Sequence, residues 1–120
     1  MTESKVAACI ITGDQYNLEE VKALLKSLEP HVHGIFINYN GAKRKLDWQK
    51  YTVTPIVYKK FKWEDDFALA RNQALSIVPK DEYDWWLWID TDDILVGEPG
   101  ALQEMFSDLD EFTEGIFLRY

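Results

Sequence analysis

Short apolar runs alternate along the chain with segments of helical periodicity. The runs at residues 6–12, 34–38, 55–58 and 83–89 have the length and composition of strands. Pro55 confines the third run to a sheet edge or a strand start, because proline cannot donate to a ladder. Strands that alternate with helices predict a three-layer α/β/α, Rossmann-like sandwich with a mostly parallel sheet.

Two helices are predicted between these strands. The first is capped by Asn17, with Glu20 three positions later, and ends before Pro30. The second begins at Asp65 or Asp66 and ends at Pro79. Their expected inward faces are Val21, Leu24, Leu25 and Leu28 in the first helix, and Phe67, Ala70, Ala74, Leu75 and Val78 in the second.

The last part of the chain predicts a third helix from Pro99 and a fifth strand that begins at residues 116–118. The chain ends inside that apolar run. We therefore expect residues 1–120 to form a single domain that is truncated, corresponding to the first part of a larger one.

Composition narrows the classes of function. The chain has 120 residues, 47% of them apolar, and a net charge of −8, which argues against nucleic-acid binding. Its single cysteine, Cys9, lies in an apolar run and is expected to be a buried thiol in a reducing compartment. No signal peptide or membrane-spanning run is found, which predicts a cytoplasmic protein.

The charge is uneven along the chain. Residues 43–62 carry seven of the thirteen basic side chains: Lys43, Arg44, Lys45, Lys50, Lys59, Lys60 and Lys62. One interpretation is a solvated loop and a protected edge strand. The other is a basic rim that faces an anionic substrate, an acceptor glycan or a membrane surface, which would make the protein peripheral to a membrane.

Three carboxylates follow the fourth strand directly, at Asp90, Asp92 and Asp93. Like charges this close repel one another unless a cation or a hydrogen-bond donor relieves them. Carboxylate oxygens suit a hard divalent cation, Mn²⁺ or Mg²⁺, whose coordination is often shared with a phosphate. The alternative is a solvated acidic turn.

Polar residues also follow the other strands, and parallel strands bring their carboxyl ends to one rim, where ligands bind in open α/β sheets. The first strand delivers Thr12, Gly13 and Asp14, and the second delivers Asn38, Tyr39 and Asn40. These residues and the three aspartates predict one pocket.

Other site types are excluded by spacing. The glycines form neither a phosphate loop nor a GxGxxG fingerprint, and Ala101 stands where a calcium loop from Asp90 would need glutamate. His31 and His33 lack companion ligands at zinc spacing, so we expect surface histidines.

Two blocks in this order resemble family 2 glycosyltransferases of the GT-A fold. The first is Trp-Glu-Asp-Asp-Phe-Ala-Leu-Ala-Arg-Asn over residues 63–72, and the second is Trp-Ile-Asp-Thr-Asp-Asp over residues 88–93. The resemblance covers nearly the whole chain but only the first, nucleotide-sugar-binding half of that family's catalytic domain.

The resemblance implies an inverting, metal-dependent glycosyltransferase that binds a nucleotide-diphosphate sugar, most often a UDP-sugar. Asp92 matches the direct ligand of Mn²⁺ or Mg²⁺. Asp90 matches a residue that contacts the ribose or helps to hold the metal, and Asp93 would support either role. The other implied donor-binding residues are Thr12, Asp14, Asn38, Asp66 and Arg71. The family usually has Asp where this chain has Asn38. The base that activates the acceptor (glycan, protein or lipid) is expected outside this chain.

Two alternatives belong to other classes. One is a phosphotransferase of the haloacid-dehalogenase type, in which the first aspartate of the motif is a nucleophile. The other is a non-catalytic interaction module with exposed Trp48 and Trp63, whereas Trp85, Trp86 and Trp88 are expected in the core. An exposed sheet edge also predicts pairing between chains.

Overall fold

The computed structural model describes residues 4–42 and 46–95. Four strands form one all-parallel sheet in the order β3-β2-β1-β4. The elements along the chain are β1 (Val6–Thr12), α1 (Leu18–Leu28), β2 (Gly34–Tyr39), a one-turn 3₁₀ helix (Trp48–Tyr51), β3 (Ile56–Lys60), α2 (Phe67–Ile77) and β4 (Trp85–Trp88). The predicted α/β, Rossmann-like fold is confirmed.

The helices cover opposite faces of the sheet. Side chains alternate between the two faces of a strand, so Ala8 and Ile10 of β1 pack in the cluster that contains Leu24 of α1. Ala7 and Cys9 point the other way and pack with Val78, which follows α2. Cys9 is fully buried, as predicted.

Both helices begin at a side-chain cap. The Oδ1 atom of Asn17 accepts from the Glu20 amide at 3.1 Å, as the sequence predicts. The Oδ1 atom of Asp66 accepts from the Leu69 amide at 3.1 Å, which selects Asp66 over Asp65 as the residue that opens α2. Each cap satisfies an amide that the helix itself leaves without a partner.

Two expectations about buried aromatic residues are wrong. The sequence predicts Phe67 on the inward face of α2, but 69% of its surface is exposed; only Ala70 and Ala74 of this helix are buried. The sequence predicts Trp86 in the core, but 43% of its surface is exposed. The helix α2 packs mainly against β2 and β1, and Trp86 lies on the outlying β4.

Two residues that the sequence predicts at the surface, His31 and Trp48, are buried. His31 was expected at the surface, but it is buried, because the amides of His31 and Val32 both donate to the Leu28 carbonyl and turn the chain inward after α1. The interaction-module alternative predicts an exposed Trp48, but this side chain is fully buried and packs edge-on against Tyr16, with ring centroids 5.1 Å apart.

Several predictions fall on residues that the structure does not describe. These are the third helix from Pro99, the fifth strand at 116–118 and the basic residues at 43–45. The extent of the domain and its truncation stay predictions for the same reason. Within the described part of the chain, no helix has the length and hydrophobicity needed to cross a membrane.

Candidate functional site

The strand order creates a switch point between β1 and β4. From β1 the chain moves outward through β2 to β3, and then crosses back to place β4 on the other side of β1. Helices on opposite faces leave a crevice at such a point, beyond the carboxyl ends of the two strands. Thr12 ends β1, and Asp90 follows shortly after β4, so both lie at the rim where this class of sheet binds its ligands.

The three aspartates after β4 form one compact group. Asp90, Asp92 and Asp93 each offer a carboxylate oxygen, and these oxygens all lie within 4.8 Å of one another. A turn holds them: the Asp93 amide donates to the Asp90 carbonyl at 3.1 Å, and the Asp90 amide donates to Oδ2 of Asp93 at 3.1 Å. Oxygen ligands in this arrangement can bind a hard divalent cation.

The electrostatics of Asp90 reflect this crowding. Partial burial raises the pKa of the Asp90 carboxyl group, and the negative charges of Asp93 and Asp92 raise it further. The positive charge of Arg71 acts in the opposite direction. A cation bound at the group would relieve the repulsion that raises the pKa of Asp90.

Arg71 joins the two sequence blocks in space. Its guanidinium carbon lies 5.8 Å from the ring centroid of Trp88, and its charge acts on Asp90. A guanidinium placed over an indole face is attracted by the ring quadrupole and keeps its N–H donors at the ring's edge. The block on α2 and the block on β4 thus contribute to one cationic and acidic neighbourhood.

Asn38 faces α2 from the neighbouring strand. It is buried, and its Nδ2 donates to the Ala70 carbonyl at 3.0 Å and to Oε1 of Gln73 at 3.1 Å. These bonds fasten α2 to β2 and so help to place Arg71. The Oδ1 atom of Asn38 has no hydrogen-bond partner among the described residues.

Thr12 and Asp14 have internal partners at the end of β1. Thr12 is buried, and its hydroxyl donates to the Gly13 carbonyl at 3.3 Å. The Asp14 carboxylate accepts from the Tyr39 hydroxyl and, at 2.6 Å, from the Ala42 amide. Asp14 therefore ties the loop after β1 to the loop after β2.

Gly41 is required by this tie. A Cβ atom added at Gly41 would overlap the Asp14 carboxylate and approach the Tyr39 ring to 2.5 Å. The space beside Gly41 is therefore filled by atoms of Asp14 and Tyr39 and is not open to a ligand.

Three of the described basic residues, one on the 3₁₀ helix and two on β3, lie close to acidic or aromatic side chains. Lys50 pairs with Asp47 at 3.0 Å, Lys59 lies over Phe61 with 5.6 Å to the ring centroid, and Lys60 lies over Tyr39 at 5.7 Å. β3 is the outer strand on this side of the described sheet, as Pro55 predicted. Lysines on such a strand discourage pairing with another sheet.

The predicted site residues thus occupy three places. Asp90, Asp92 and Asp93 lie together with Arg71; Thr12 and Asp14 lie at the end of β1; Asn38 and Asp66 hold α2 in position. Sequence reasoning missed Trp88 as the surface under Arg71. Its alternation with Leu87 on β4 was the available signal, because it places Trp88 on the face that α2 covers.

Models of protein families gave no match to the chain, and neither did the curated proteins.

Proposed function

We propose that this chain is the donor-binding part of an inverting, metal-dependent glycosyltransferase that uses a nucleotide-diphosphate sugar, with a UDP-sugar as the first candidate. The observation that carries the proposal is the neighbourhood of Arg71 and Asp90 at the switch point. Two blocks that resemble family 2 glycosyltransferases, separated along the sequence, converge there. A diphosphate needs both a cation and hydrogen-bond donors, and this neighbourhood offers residues for both.

In this proposal the roles follow from the chemistry of each side chain. Asp92, Asp90 and Asp93 would hold Mn²⁺ or Mg²⁺, which supplies charge neutralisation for a departing diphosphate. Arg71 would donate to a phosphate oxygen or to the nucleotide, since its planar guanidinium suits such acceptors. Thr12 would line the crevice on the β1 side. No described carboxylate is assigned as the base for the acceptor.

The test is thermal unfolding of the chain with UDP and other nucleoside diphosphates, each with and without Mn²⁺. A ligand that binds only the folded chain stabilises it by about 2.7 kcal/mol at 100 times its Kd. We expect a stabilisation by UDP that requires the metal. Asp92→Asn should abolish it, because the substitution keeps the shape of the side chain and removes the anionic ligand.

Asp81→Asn is the matched control. Asp81 is an exposed aspartate outside the acidic group, and its replacement should leave the metal-dependent stabilisation intact. A stabilisation that survives Asp92→Asn, or one that needs no metal, would overturn the assignment of the acidic group. If both variants lose the metal-dependent stabilisation equally, the loss reflects the change in net charge and not the acidic group.

A further inference from the structure

A pair of aromatic side chains lies exposed at the start of α2. The rings of Trp63 and Phe67 meet edge to face, with centroids 5.0 Å apart and planes at 75°. Both are exposed, Phe67 to 69% and Trp63 to 36%. Large apolar side chains scattered singly on a surface need no explanation, but here two exposed aromatic rings are adjacent and in contact.

Trp63 is held in place by a polar bond. Its Nε1–H donates to Oδ1 of Asp65 at 2.9 Å. Asp65 has a φ of 55°, and no other described residue apart from glycine has a positive φ. This left-handed conformation is unfavourable for a residue with a side chain. We call Trp63 and Phe67 the aromatic platform; the hydrogen bond to Asp65 and the edge-to-face contact between the rings fix the position of the Trp63 indole.

The aromatic platform is continuous with the candidate donor site. Phe67 and Arg71 are four residues apart on α2, so they share a face of the helix about 6 Å apart along its axis. Arg71 then leads to Trp88 and Asp90. A ligand that contacts the platform would lie next to a donor bound at the acidic group.

The surroundings of the platform define the class of ligand. Three consecutive exposed acidic residues, Glu64, Asp65 and Asp66, outnumber the exposed Lys62 that precedes Trp63, so the local charge disfavours phosphate and carboxylate groups. Carboxylate oxygens only accept hydrogen bonds, and hydroxyl groups donate to them. A neutral sugar ring offers both an apolar C–H face for the aromatic rings and several hydroxyl donors for the carboxylates.

We propose that the aromatic platform binds a neutral sugar ring of the acceptor, so that the acceptor is a glycan. This assignment rests on the proposed function, and it identifies the acceptor class that the acidic group leaves open. The ring would stack against Trp63 and Phe67, with its hydroxyl groups directed towards Glu64 and Asp65.

The experiment is NMR titration of the ¹⁵N-labelled chain with cellohexaose, maltohexaose, chitohexaose and methyl β-glucopyranoside. The indole N–H signal of Trp63 is assigned by its loss in Trp63→Phe. We expect at least one of these sugars to shift that signal and the first amides of α2, while the indole signal of the fully buried Trp48 stays in place. No shift of the Trp63 signal with any of the four sugars overturns the proposal.

Two variants distinguish specific binding at the aromatic platform from nonspecific binding to exposed apolar side chains. Phe67→Ala removes an exposed ring, and Asp65→Gly removes the partner of the indole at a position where glycine tolerates the backbone angle. Each should lower the affinity for the sugar at least severalfold. Val53→Ala, which shortens an apolar side chain that is 88% exposed elsewhere, should have no effect. Equal affinity in Phe67→Ala and the unmodified chain would refute the stacking role.

The same titration distinguishes this proposal from the one on which it rests. UDP with Mn²⁺ should shift signals around Asp90 and Arg71, with or without the sugar. If UDP with Mn²⁺ binds and all sugars fail, the glycan platform is wrong and the donor site stands. If a sugar binds and UDP with Mn²⁺ does not, the platform binds glycans without a donor site and the acceptor role is wrong. Uridine alone shifting the Trp63 signal would assign the platform to the nucleobase and overturn the proposal.

Discussion

The guanidinium of Arg71 lies over the indole ring of Trp88, 5.8 Å from its centroid, and acts electrostatically on Asp90. This contact couples α2 to β4 across the face of the sheet. It also places a permanent positive charge beside three carboxylates that otherwise repel one another. The stability of the acidic turn and the chemistry proposed for it therefore depend on the same side chain.

Replacing Arg71 should change both properties. Arg71→Gln removes the charge that opposes the raised pKa of Asp90, so that pKa should rise further, as measured by NMR titration of the carboxyl group. Loss of the cation–π contact should lower the free energy of unfolding by about 0.5–1 kcal/mol, measured by urea denaturation. Arg71→Lys is the control: it retains the charge but not the planar stack, so the pKa of Asp90 should move less. An unchanged pKa in Arg71→Gln would contradict this coupling.

Asp90 should make the metal-free chain less stable as the pH rises. Its pKa is raised above the ordinary value of 3.8 by burial and by Asp93 and Asp92. Between the ordinary and the raised pKa, the folded chain keeps a proton that the unfolded chain has lost, so stability falls with increasing pH in that window. Asp90→Asn removes this loss and should unfold at a higher temperature at neutral pH in the presence of EDTA.

With saturating Mn²⁺ the unmodified chain should unfold at a higher temperature than Asp90→Asn, the reverse of the order in EDTA. The metal needs ionised carboxylates, so its stabilisation should increase as the pH rises through the pKa of Asp90 and should be reduced in Asp90→Asn. Melting curves followed by circular dichroism, with EDTA and with Mn²⁺, give both comparisons. If Mn²⁺ raises the unfolding temperature of Asp90→Asn as much as that of the unmodified chain, Asp90 is not a metal ligand.

Asp66 offers a way to separate capping from ligand binding. Asp66→Ala removes the acceptor for the Leu69 amide and should cost about 1 kcal/mol in the free energy of unfolding. Asp66→Asn keeps an acceptor oxygen and should cost less. Asn17→Ala, at the cap of α1, is the matched variant away from the acidic group. If Asp66→Asn folds normally but loses UDP binding, its charge has a role at the site; normal UDP binding limits Asp66 to the helix cap.

Cys9 should resist thiol reagents while the chain is folded. Burial raises the pKa of its thiol to about 12, and the side chain has no exposed surface. Since the thiolate is the reactive form, labelling by a disulfide reagent at neutral pH should be limited by opening of the sheet. The rate should rise steeply in urea, in parallel with unfolding. Rapid labelling without denaturant would show that β1 is less protected than its position indicates.

The elements were predictable from local signals. Apolar runs, the caps at Asn17 and Asp66, and the proline at the start of β3 each act within a few residues, so the sequence carries them directly. The acidic group was predictable for the same reason: its three aspartates span only four positions and one turn brings them together.

The failures concern what covers a side chain. Helical spacing places Phe67 on the same side as Ala70, but it cannot show whether other elements cover Phe67, which is 69% exposed. Trp48 is buried against Tyr16 of a different segment, and His31 is buried by the turn that follows α1, so the periodicity of apolar residues does not predict either position. The contact of Arg71 with Trp88 depends on where α2 lies on the sheet, which is fixed in part by the buried bonds of Asn38.

The central position of β1 has a consequence for biosynthesis. Its pairing with β4 can form only after residues 79 positions further along the chain have been synthesised. At the start of this pairing, the Lys5 amide donates to the Asp84 carboxylate. At ribosomal speeds of 5–20 residues per second, that delay is roughly 4–16 s. During this interval the buried strand β1 keeps one row of backbone groups unpaired, and these groups can pair with strands of other chains. Expression at lower temperature or with a trigger-type chaperone should therefore raise the yield of folded protein more than changes at the acidic group do.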